Sequence, residues 1–260
     1  MKRQLVRPLT GYRYVTPPTF GGGGGTFIDP IDDMPWTNVW YATDLNEGGA
    51  PPSNGGPVGD GTGGTTWKDL IGTVNLTTFT LVGNMPTYRS ADSNMNGKPS
   101  VEFDGTDDFL GGTYPSTYTD PVDLILVFKL RSVAGFVCMV DVGAGTPRTG
   151  FYTNFGTGWW MYDGGGSITT TETLTTTVHT ARLHYDASTS GNVSFMQIDG
   201  AKTFGNMTNQ GTTGILLGSF QGGTNFSAIT LGIIGVVDGS VTDAQYNDFR
   251  LWAQDYYGAV

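Results

Sequence analysis

The segment NGKPSVEFDGTDDFL, residues 96–110, places three aspartates within five positions. Carboxylates this close together can bind a hard cation such as calcium or share a proton. The dipeptide Asp104-Gly105 is also a frequent turn signal, and it follows the strand-like residues PSVEF. We interpret Asp104, Asp107 and Asp108 as turn residues, with a lectin-type calcium site on the three carboxylates as the alternative. No other cofactor is expected.

The residues DSNMNG, at positions 92–97, match the first half of an EF-hand calcium loop. Such a loop requires a glutamate at its twelfth position, which is Phe103 in this chain, and Glu102 comes one residue early. A shift of one residue along a strand turns a side chain to the opposite face. The segment is therefore not expected to be an EF-hand loop.

Paired carboxylates for catalysis are not evident in the sequence. Glycoside hydrolysis requires two carboxyl groups about 5–10 Å apart on either side of the sugar. Three glutamates occur in the chain, namely Glu47, Glu102 and Glu172, and none belongs to a closely spaced acidic pattern on one strand. Motifs for nucleophilic, zinc or phosphate chemistry are also missing. We therefore expect no enzyme and no catalytic residues, with a glycoside hydrolase as the third alternative.

Histidine and cysteine chemistry is not expected either. His179 and His184 are five residues apart, so on one strand they would face opposite sides and could not share a metal ion. We interpret both as histidines on the surface of a sheet. Cys138 is the single cysteine and lies within the apolar run AGFVCMV, which indicates a buried, unreactive thiol.

Aromatic residues concentrate in the segment TNFGTGWWMYDGG, residues 153–165. Sugars bind proteins by stacking their C–H faces on aromatic rings and by hydrogen bonding to amide and carboxylate groups. We predict a glycan site here, formed by Asn154, Trp159, Trp160, Tyr162 and Asp163. Side chains alternate along a strand, so one tryptophan should point inward, and the alternative interpretation is that these rings belong to the core.

The elements that would position these residues are mainly strands. Charged residues make up only 14% of the chain and 41 residues are glycine, a composition typical of strands joined by tight turns. Turn signals recur about every 8–12 residues, which is typical of an all-β sandwich or jelly roll. The later strand candidates are residues 123–130, 135–143, 149–155, 158–164, 179–186, 192–200, 214–220 and 227–237.

The C-terminal segment SVTDAQYNDFRLWAQDYYG, residues 240–258, has apolar residues at helical spacing. Thr242 and Gln245 form a capping-box pattern at its start, and Gly258 is a suitable end. The sequence therefore predicts one helix, and Phe249, Trp252 and Tyr256 should share its buried face.

Residues 1–35 differ from the rest of the chain and are predicted to be an N-terminal docking arm. Four basic residues precede the first acid, Asp29, whereas the remainder has nine basic and 23 acidic residues. Gly21 to Gly25 form a flexible hinge. A disordered leader is the alternative. The residues expected to dock on a partner are Lys2, Arg3, Leu5, Arg7, Tyr12, Arg13 and Tyr14.

The chain resembles the concanavalin A-like lectin/glucanase superfamily, in its laminin-G-like jelly-roll branch. Three blocks carry the resemblance: VWYATDL with TTWKDLIGTVNLT, then NGKPSVEFDGTDDFL, and finally ITLGIIGVVDGSVTDAQYNDFRLWAQDYYG. It covers about residues 36–260. The resemblance implies a two-sheet antiparallel jelly-roll sandwich with one C-terminal helix, of a type that often binds glycans and is common in virion and surface proteins.

The expected function combines this resemblance with the arm. We expect a structural or accessory virion protein of a bacteriophage, associated with the capsid or tail. Residues 1–35 would bind other virion proteins, and residues 36–260 would display a lectin-like domain to host-surface glycans. A bacterial adhesin or lectin module is the alternative, since a fold does not fix a function.

The remaining expectations concern the cell and other partners. The start MKRQLVRPLT lacks an apolar stretch, so we expect synthesis in the host cytoplasm without a signal peptide. The chain has no run of 18 apolar residues, and we expect no membrane partner. The acidic body argues against nucleic acid.

Overall fold

The computed structural model describes residues 33–45, 52–58, 66–78, 84–141, 149–153, 155–187, 193–208, 211–220 and 225–260. The predicted docking residues Lys2, Arg3, Leu5, Arg7, Tyr12, Arg13 and Tyr14 lie outside these ranges, and so does Asn154. The division into residues 1–35 and 36–260 stays a prediction.

Strands make up nearly half of the described chain. Their bounds are β1 Asn38–Tyr41, β2 Thr87–Asp92, β3 Lys98–Asp104, β4 Leu110–Tyr118, β5 Val122–Leu130, β6 Cys138–Asp141, β7 Gly150–Thr153, β8 Trp159–Tyr162, β9 Ser167–Thr169, β10 Val178–Tyr185, β11 Ser194–Ile198, β12 Ala201–Gly205, β13 Thr212–Leu217 and β14 Ala228–Asp238. A C-terminal helix, α1, spans Asp243–Tyr257.

The strands form two antiparallel sheets. The first sheet has the order β12-β11-β10-β5-β14-β3-β2, and β1 pairs with the second half of β14. The second sheet has the order β4-β13-β6-β7-β8-β9. Neighbouring strands are thus often distant in sequence, as in a jelly roll. The predicted fold class, a two-sheet antiparallel sandwich with a C-terminal helix, is confirmed.

The main core lies between the two sheets. It consists mainly of aliphatic side chains, and its almost fully buried aromatic residues include Trp40, Trp67, Phe103, Phe128, Phe151 and Trp159. The central strands β5 and β14 are apolar on both faces, because one face meets this core and the other meets the helix.

Helix α1 closes the outer face of the first sheet. Its Tyr246, Phe249, Ala253 and Tyr257 pack on side chains of β1, β5 and β14. The capping box at Thr242 is formed, and the backbone reverses at Gly258, where φ is +70°. The predicted helix is therefore confirmed. No helix in the described ranges has the length and apolar character needed to cross a membrane.

Candidate functional site

The two adjacent tryptophans of β8 lie on opposite faces of the second sheet. Trp159 points inward, is only 2% exposed, and has its ring centroid 5.4 Å from that of Phe128 and 5.7 Å from that of Phe151. Trp160 and Tyr162 point outward and are half-buried. Trp159 is therefore a core residue and cannot contact a ligand on the outer face.

Six aromatic rings cover part of this outer surface. We name the set the outer aromatic face; it consists of Phe136, Tyr152, Phe155, Trp160, Tyr162 and Phe220. Consecutive rings are in contact: Phe155 to Phe136 at 5.7 Å, Phe136 to Tyr152 at 5.2 Å, Tyr152 to Trp160 at 5.8 Å, and Trp160 to Tyr162 at 5.9 Å between centroids. Phe220 lies beside the middle of this series, 5.2 Å from Phe136 and 5.6 Å from Tyr152.

Strand pairing explains why these rings meet. Tyr152 of β7 is the cross-strand partner of Trp160 of β8, and directly opposed side chains on one face of a sheet interact. On the far side of β8, Thr169 and Ser167 of β9 lie opposite Trp160 and Tyr162. Both β9 side chains are exposed, so hydroxyl groups border the rings.

The outer aromatic face is not a closed core. Phe155 is 68% exposed, and its φ of +46° lies in the left-handed region that bulky residues avoid. The indole N–H of Trp160 is covered by protein atoms and has no hydrogen-bond partner among the described residues. Backbone strain of the kind found at Phe155 is concentrated at functional sites such as ligand-binding surfaces.

Asp163, predicted as a sugar ligand, has a different role. Its side chain is fully buried. The carboxylate accepts hydrogen bonds from the backbone N–H groups of Gly165 at 3.1 Å and Gly166 at 2.6 Å, and from the backbone N–H of Thr208. Asp163 therefore holds the β8–β9 turn against the segment after β12. Asp163 is therefore not part of the contact surface.

The three clustered aspartates do lie together at a turn. Carboxylate oxygens of Asp104, Asp107 and Asp108 are all within 4.8 Å of one another. Asp108 accepts the backbone N–H of Asp104 at 2.7 Å, and Asp104 accepts that of Thr106 at 2.7 Å. Burial, together with the neighbouring Asp104 and Asp107 charges, raises the pKa of Asp108 to about 6. Two of the three carboxylates thus make turn hydrogen bonds, and calcium binding stays the alternative interpretation.

The residues around this turn support a structural role. Glu102 forms a bidentate ion pair with Arg89, with both N···O distances 3.1 Å, and also contacts Arg131 at 3.3 Å.

The DSNMNG segment forms a separate turn. Asp92 accepts the backbone N–H of Asn94 at 2.8 Å and the hydroxyl of Ser100 at 2.7 Å. The DSNMNG segment therefore forms a capped tight turn.

The two histidines of β10 face opposite sides, as expected, but the interpretation as surface residues is corrected because both are buried. His184 Nδ1 lies 2.8 Å from Asp123, a fully buried carboxylate that also pairs with Arg182 at 3.1 Å. Burying Asp123 is tolerated because these partners and the Val241 backbone N–H surround it. Sequence reasoning missed this network, because Asp123 lies more than 50 residues from each of its partners in the chain.

His179 lies in a chain of polar groups at the edge of the core. Its Nδ1 lies 2.6 Å from a carboxylate oxygen of Asp199, and its Nε2 lies 2.9 Å from Thr175 Oγ1 and 3.3 Å from Thr177 Oγ1. Asp199 also accepts the Thr180 backbone N–H at 2.8 Å. The order carboxylate, imidazole and hydroxyl resembles the order of groups in nucleophile activation. Here it joins the β11–β12 turn to the segment before β10.

A cleft lies at one end of the sandwich, between strands of the two sheets. It encloses about 420 Å³ of empty space, with the open mouth included. Burial raises the pKa of both Tyr114 and Tyr185 in its wall. The Tyr185 hydroxyl donates to the Gly150 carbonyl at 3.2 Å. The other lining residues are aliphatic side chains of β5, β6, β13 and β14 together with Asp120, Thr149, Thr212 and two glycines.

Comparison with solved structures places this fold among lectin-like β-sandwiches. No protein-family model matches the chain, and no curated protein sequence matches it. Trypanosoma rangeli sialidase in complex with sialic acid is similar over 85% of this chain and 33% of its own, with a TM-score of 0.59 and 11% identity. The botulinum neurotoxin serotype D ligand binding domain in complex with N-acetylneuraminic acid is similar over 89% of this chain and 56% of its own, with a TM-score of 0.58 and 8% identity.

The botulinum neurotoxin serotype G binding domain is a further neighbour, covering 74% of this chain and 51% of its own with a TM-score of 0.55 and 8% identity. The chain thus spans about a third of the sialidases and about half of the neurotoxin domains. At these identities, the likeness shows the fold alone. The resemblance noted in the sequence is confirmed at the level of a lectin-like β-sandwich.

The expectation that the chain is not an enzyme is corrected by the sialidases among these neighbours, which are enzymes that contain this fold. The missing carboxylate pattern was therefore an insufficient reason to exclude catalysis. None of these neighbours supports a virion role.

Proposed function

We propose that this chain is a carbohydrate-binding module that holds a glycan on its outer aromatic face. The observation that carries the proposal is the set of six contacting rings on the outer surface of the second sheet, where Phe155 is 68% exposed. Phe155 is exposed, Tyr152 is buried and the other four rings are partly exposed, and apolar surface of this kind is a marker of binding surfaces.

The chemistry around the rings fits a sugar. A pyranose presents C–H groups that pack on an aromatic ring, and hydroxyl groups at its rim that need polar partners. Trp160 and Tyr162 offer the rings, and the exposed Thr169 and Ser167 hydroxyls lie on the adjacent strand. Aromatic side chains also lose little conformational entropy on binding, which favours recognition by rings that are already packed.

The lectin-like fold adds independent support. Neighbours with this fold include proteins determined with sialic acid and N-acetylneuraminic acid. We transfer from them only the general expectation of a carbohydrate ligand, because sequence identity is 8–11% for these two proteins.

Binding to a panel of soluble polysaccharides tests the proposal. Native gels cast with each polysaccharide should show retardation of the wild-type protein by at least one of them. Trp160→Ala should raise the dissociation constant obtained from the retardation about tenfold or more, a loss of about 1.4 kcal/mol in binding free energy. Phe204→Ala is the matched control, because Phe204 is 55% exposed but lies on β12 in the other sheet. Retardation by no polysaccharide, or equal loss in both variants, would contradict the proposal.

The proposal for where the module acts depends only on the sequence of the N-terminal docking arm, residues 1–35. We infer from the four basic residues that precede Asp29 that residues 1–35 attach the module to other virion proteins of a bacteriophage. Replacing Lys2, Arg3, Arg7 and Arg13 by glutamate in the full chain should abolish co-sedimentation with assembled particles. Normal incorporation of this variant would refute the docking role and leave an adhesin or lectin module as the setting.

A further inference from the structure

We infer that the outer aromatic face binds an internal stretch of an extended glycan chain, spanning several consecutive sugar units, and does not recognise a single terminal sugar. This inference rests on the proposed function and concerns the class of ligand that the same site takes. It differs from recognition of one monosaccharide, which requires a pocket that encloses the sugar.

The first argument is the direction in which the rings run. In the β6–β7–β8 ladder, Thr153 pairs with Trp159 near one end of the strands, and Gly150 pairs with Tyr162 at the other end. Phe155 follows β7 beyond the first end, whereas Tyr162 is at the second end. The ring series therefore crosses the full height of these strands.

The length of the series follows from strand geometry. The strands β6, β7 and β8 have four residues each, and Phe155 lies two residues beyond Thr153. Gly150, the partner of Tyr162, and Thr153 are three residues apart, so at about 3.3 Å per residue β7 alone separates the two ends by roughly 10 Å, and Phe155 follows beyond Thr153. One sugar ring is much shorter than this. A ligand that contacts both ends must have several units.

The spacing of the rings is the second argument. Neighbouring centroids are 5.2–5.9 Å apart from Phe155 through Tyr162. This spacing is close to the advance of one unit along an extended chain of pyranose sugars. Tyr152 in the middle is buried and supports its neighbours, so sugar units can pack on the partly exposed rings on either side of it.

The open ends of the series are the third argument. Phe155 at one end is largely exposed, and Tyr162 at the other is half-exposed beside the exposed residues Gly164 and Gly165. The described residues at these ends thus leave the ring series accessible. A chain can continue past both ends, as recognition of an internal segment requires.

The test uses fragments of one polysaccharide. The polysaccharide that causes the strongest retardation in the gel panel is partially hydrolysed and separated by size into fractions of about one to eight units. Titration calorimetry of the full chain should show the dissociation constant falling about tenfold or more from two units to four, and then levelling off.

Variants at the two ends sharpen this experiment. Phe155→Ala should weaken binding of the longest fraction about tenfold and leave binding of the two-unit fraction, which packs on Trp160 and Tyr162, within about twofold. Tyr162→Ala should weaken binding of both fractions, and Phe204→Ala should leave both unchanged. A dissociation constant independent of length, or equal weakening of short and long fractions by Phe155→Ala, would overturn the inference while the proposed function stands. If no polysaccharide is bound in the panel, the proposed function itself fails.

Discussion

Tyr152 of β7 and Trp160 of β8 are cross-strand partners whose ring centroids are 5.8 Å apart, with the ring planes inclined at 67°. Tyr152 is almost fully buried and its hydroxyl donates to Asp141 at 3.0 Å, which fixes the orientation of the ring. Trp160 packs against this fixed ring and remains partly exposed. A supported, partly exposed indole is a preorganised surface, so little entropy would be lost when a sugar packs on it.

The exposed Phe155 provides a test in which stability and binding should change in opposite directions. Its φ of +46° costs a non-glycine residue about 1–2 kcal/mol, and glycine adopts this conformation freely. Phe155→Gly should therefore raise the free energy of unfolding, or leave it unchanged, while weakening glycan binding about tenfold. Urea unfolding and calorimetric titration measure the two quantities. A variant that is both less stable and equally able to bind would contradict the role given to this ring.

Asp108 gives the protein a specific pH dependence. Its folded-state pKa of about 6 is above the usual aspartate value of about 3.9, so the fold favours the protonated carboxyl. This contribution is complete below about pH 4 and is lost as the pH rises through 6. Wild-type stability should therefore fall by about 1–2 kcal/mol between pH 4 and 7.5 relative to Asp108→Asn, after allowance for solvent screening.

The measurement is urea unfolding of both proteins at several pH values in this window. The asparagine amide oxygen can still accept the Asp104 backbone N–H, so the variant preserves the turn while removing the titrating group. Stability curves that run parallel for the two proteins would show that Asp108 does not titrate near pH 6.

Calcium addition separates the two interpretations of the aspartate cluster. The turn interpretation predicts that millimolar calcium and magnesium change the melting temperature by the same small amount, through screening of an acidic protein. A calcium site that exists only in the folded state would add about 2.7 kcal/mol at a hundredfold excess over its Kd. A calcium-selective rise in melting temperature that is lost in Asp107→Asn would replace the turn interpretation with a metal site.

Two aromatic residues of α1 should differ in their contributions to stability. Phe249 is 2% exposed and packs edge-on against Trp36, with centroids 6.2 Å apart. Phe249→Ala should lower the free energy of unfolding by about 3–5 kcal/mol. Trp252 is half-buried and stacks on Tyr256 at 5.2 Å, so Trp252→Ala should cost less, about 1–3 kcal/mol. Denaturant unfolding followed by circular dichroism measures both, and a larger loss for Trp252 would contradict this packing.

Parts of the fold with strong periodicity could be predicted from the sequence. The strand predicted at residues 123–130 is β5, Val122–Leu130, and the capped C-terminal helix is correct to within a few residues. The short strands β9 and β12 were missed because they are polar and have little periodic signal. The strand predicted at 149–155 ends at Thr153, since the chain turns at Phe155.

The candidate site was predictable only in part. Strand alternation correctly indicated that one of the two adjacent tryptophans faces outward, and Trp160 does so. Phe136 and Phe220 could not be found in this way, because they precede β6 and follow β13 and reach the site only through tertiary packing. The role of Asp163 depends on backbone donors as far away as Thr208, which no local pattern reveals.

The most direct test of glycan binding on the outer aromatic face is to follow the tryptophan indole signals in ¹H–¹⁵N NMR spectra during a titration. The chain has six tryptophans, and Trp160→Phe identifies the signal of Trp160 by its disappearance. Titration with the polysaccharide fragments should shift the Trp160 signal and leave those of the buried Trp40, Trp67 and Trp159 in place. Shifts confined to other tryptophans, with the Trp160 signal unmoved at saturation, would show that the glycan binds elsewhere.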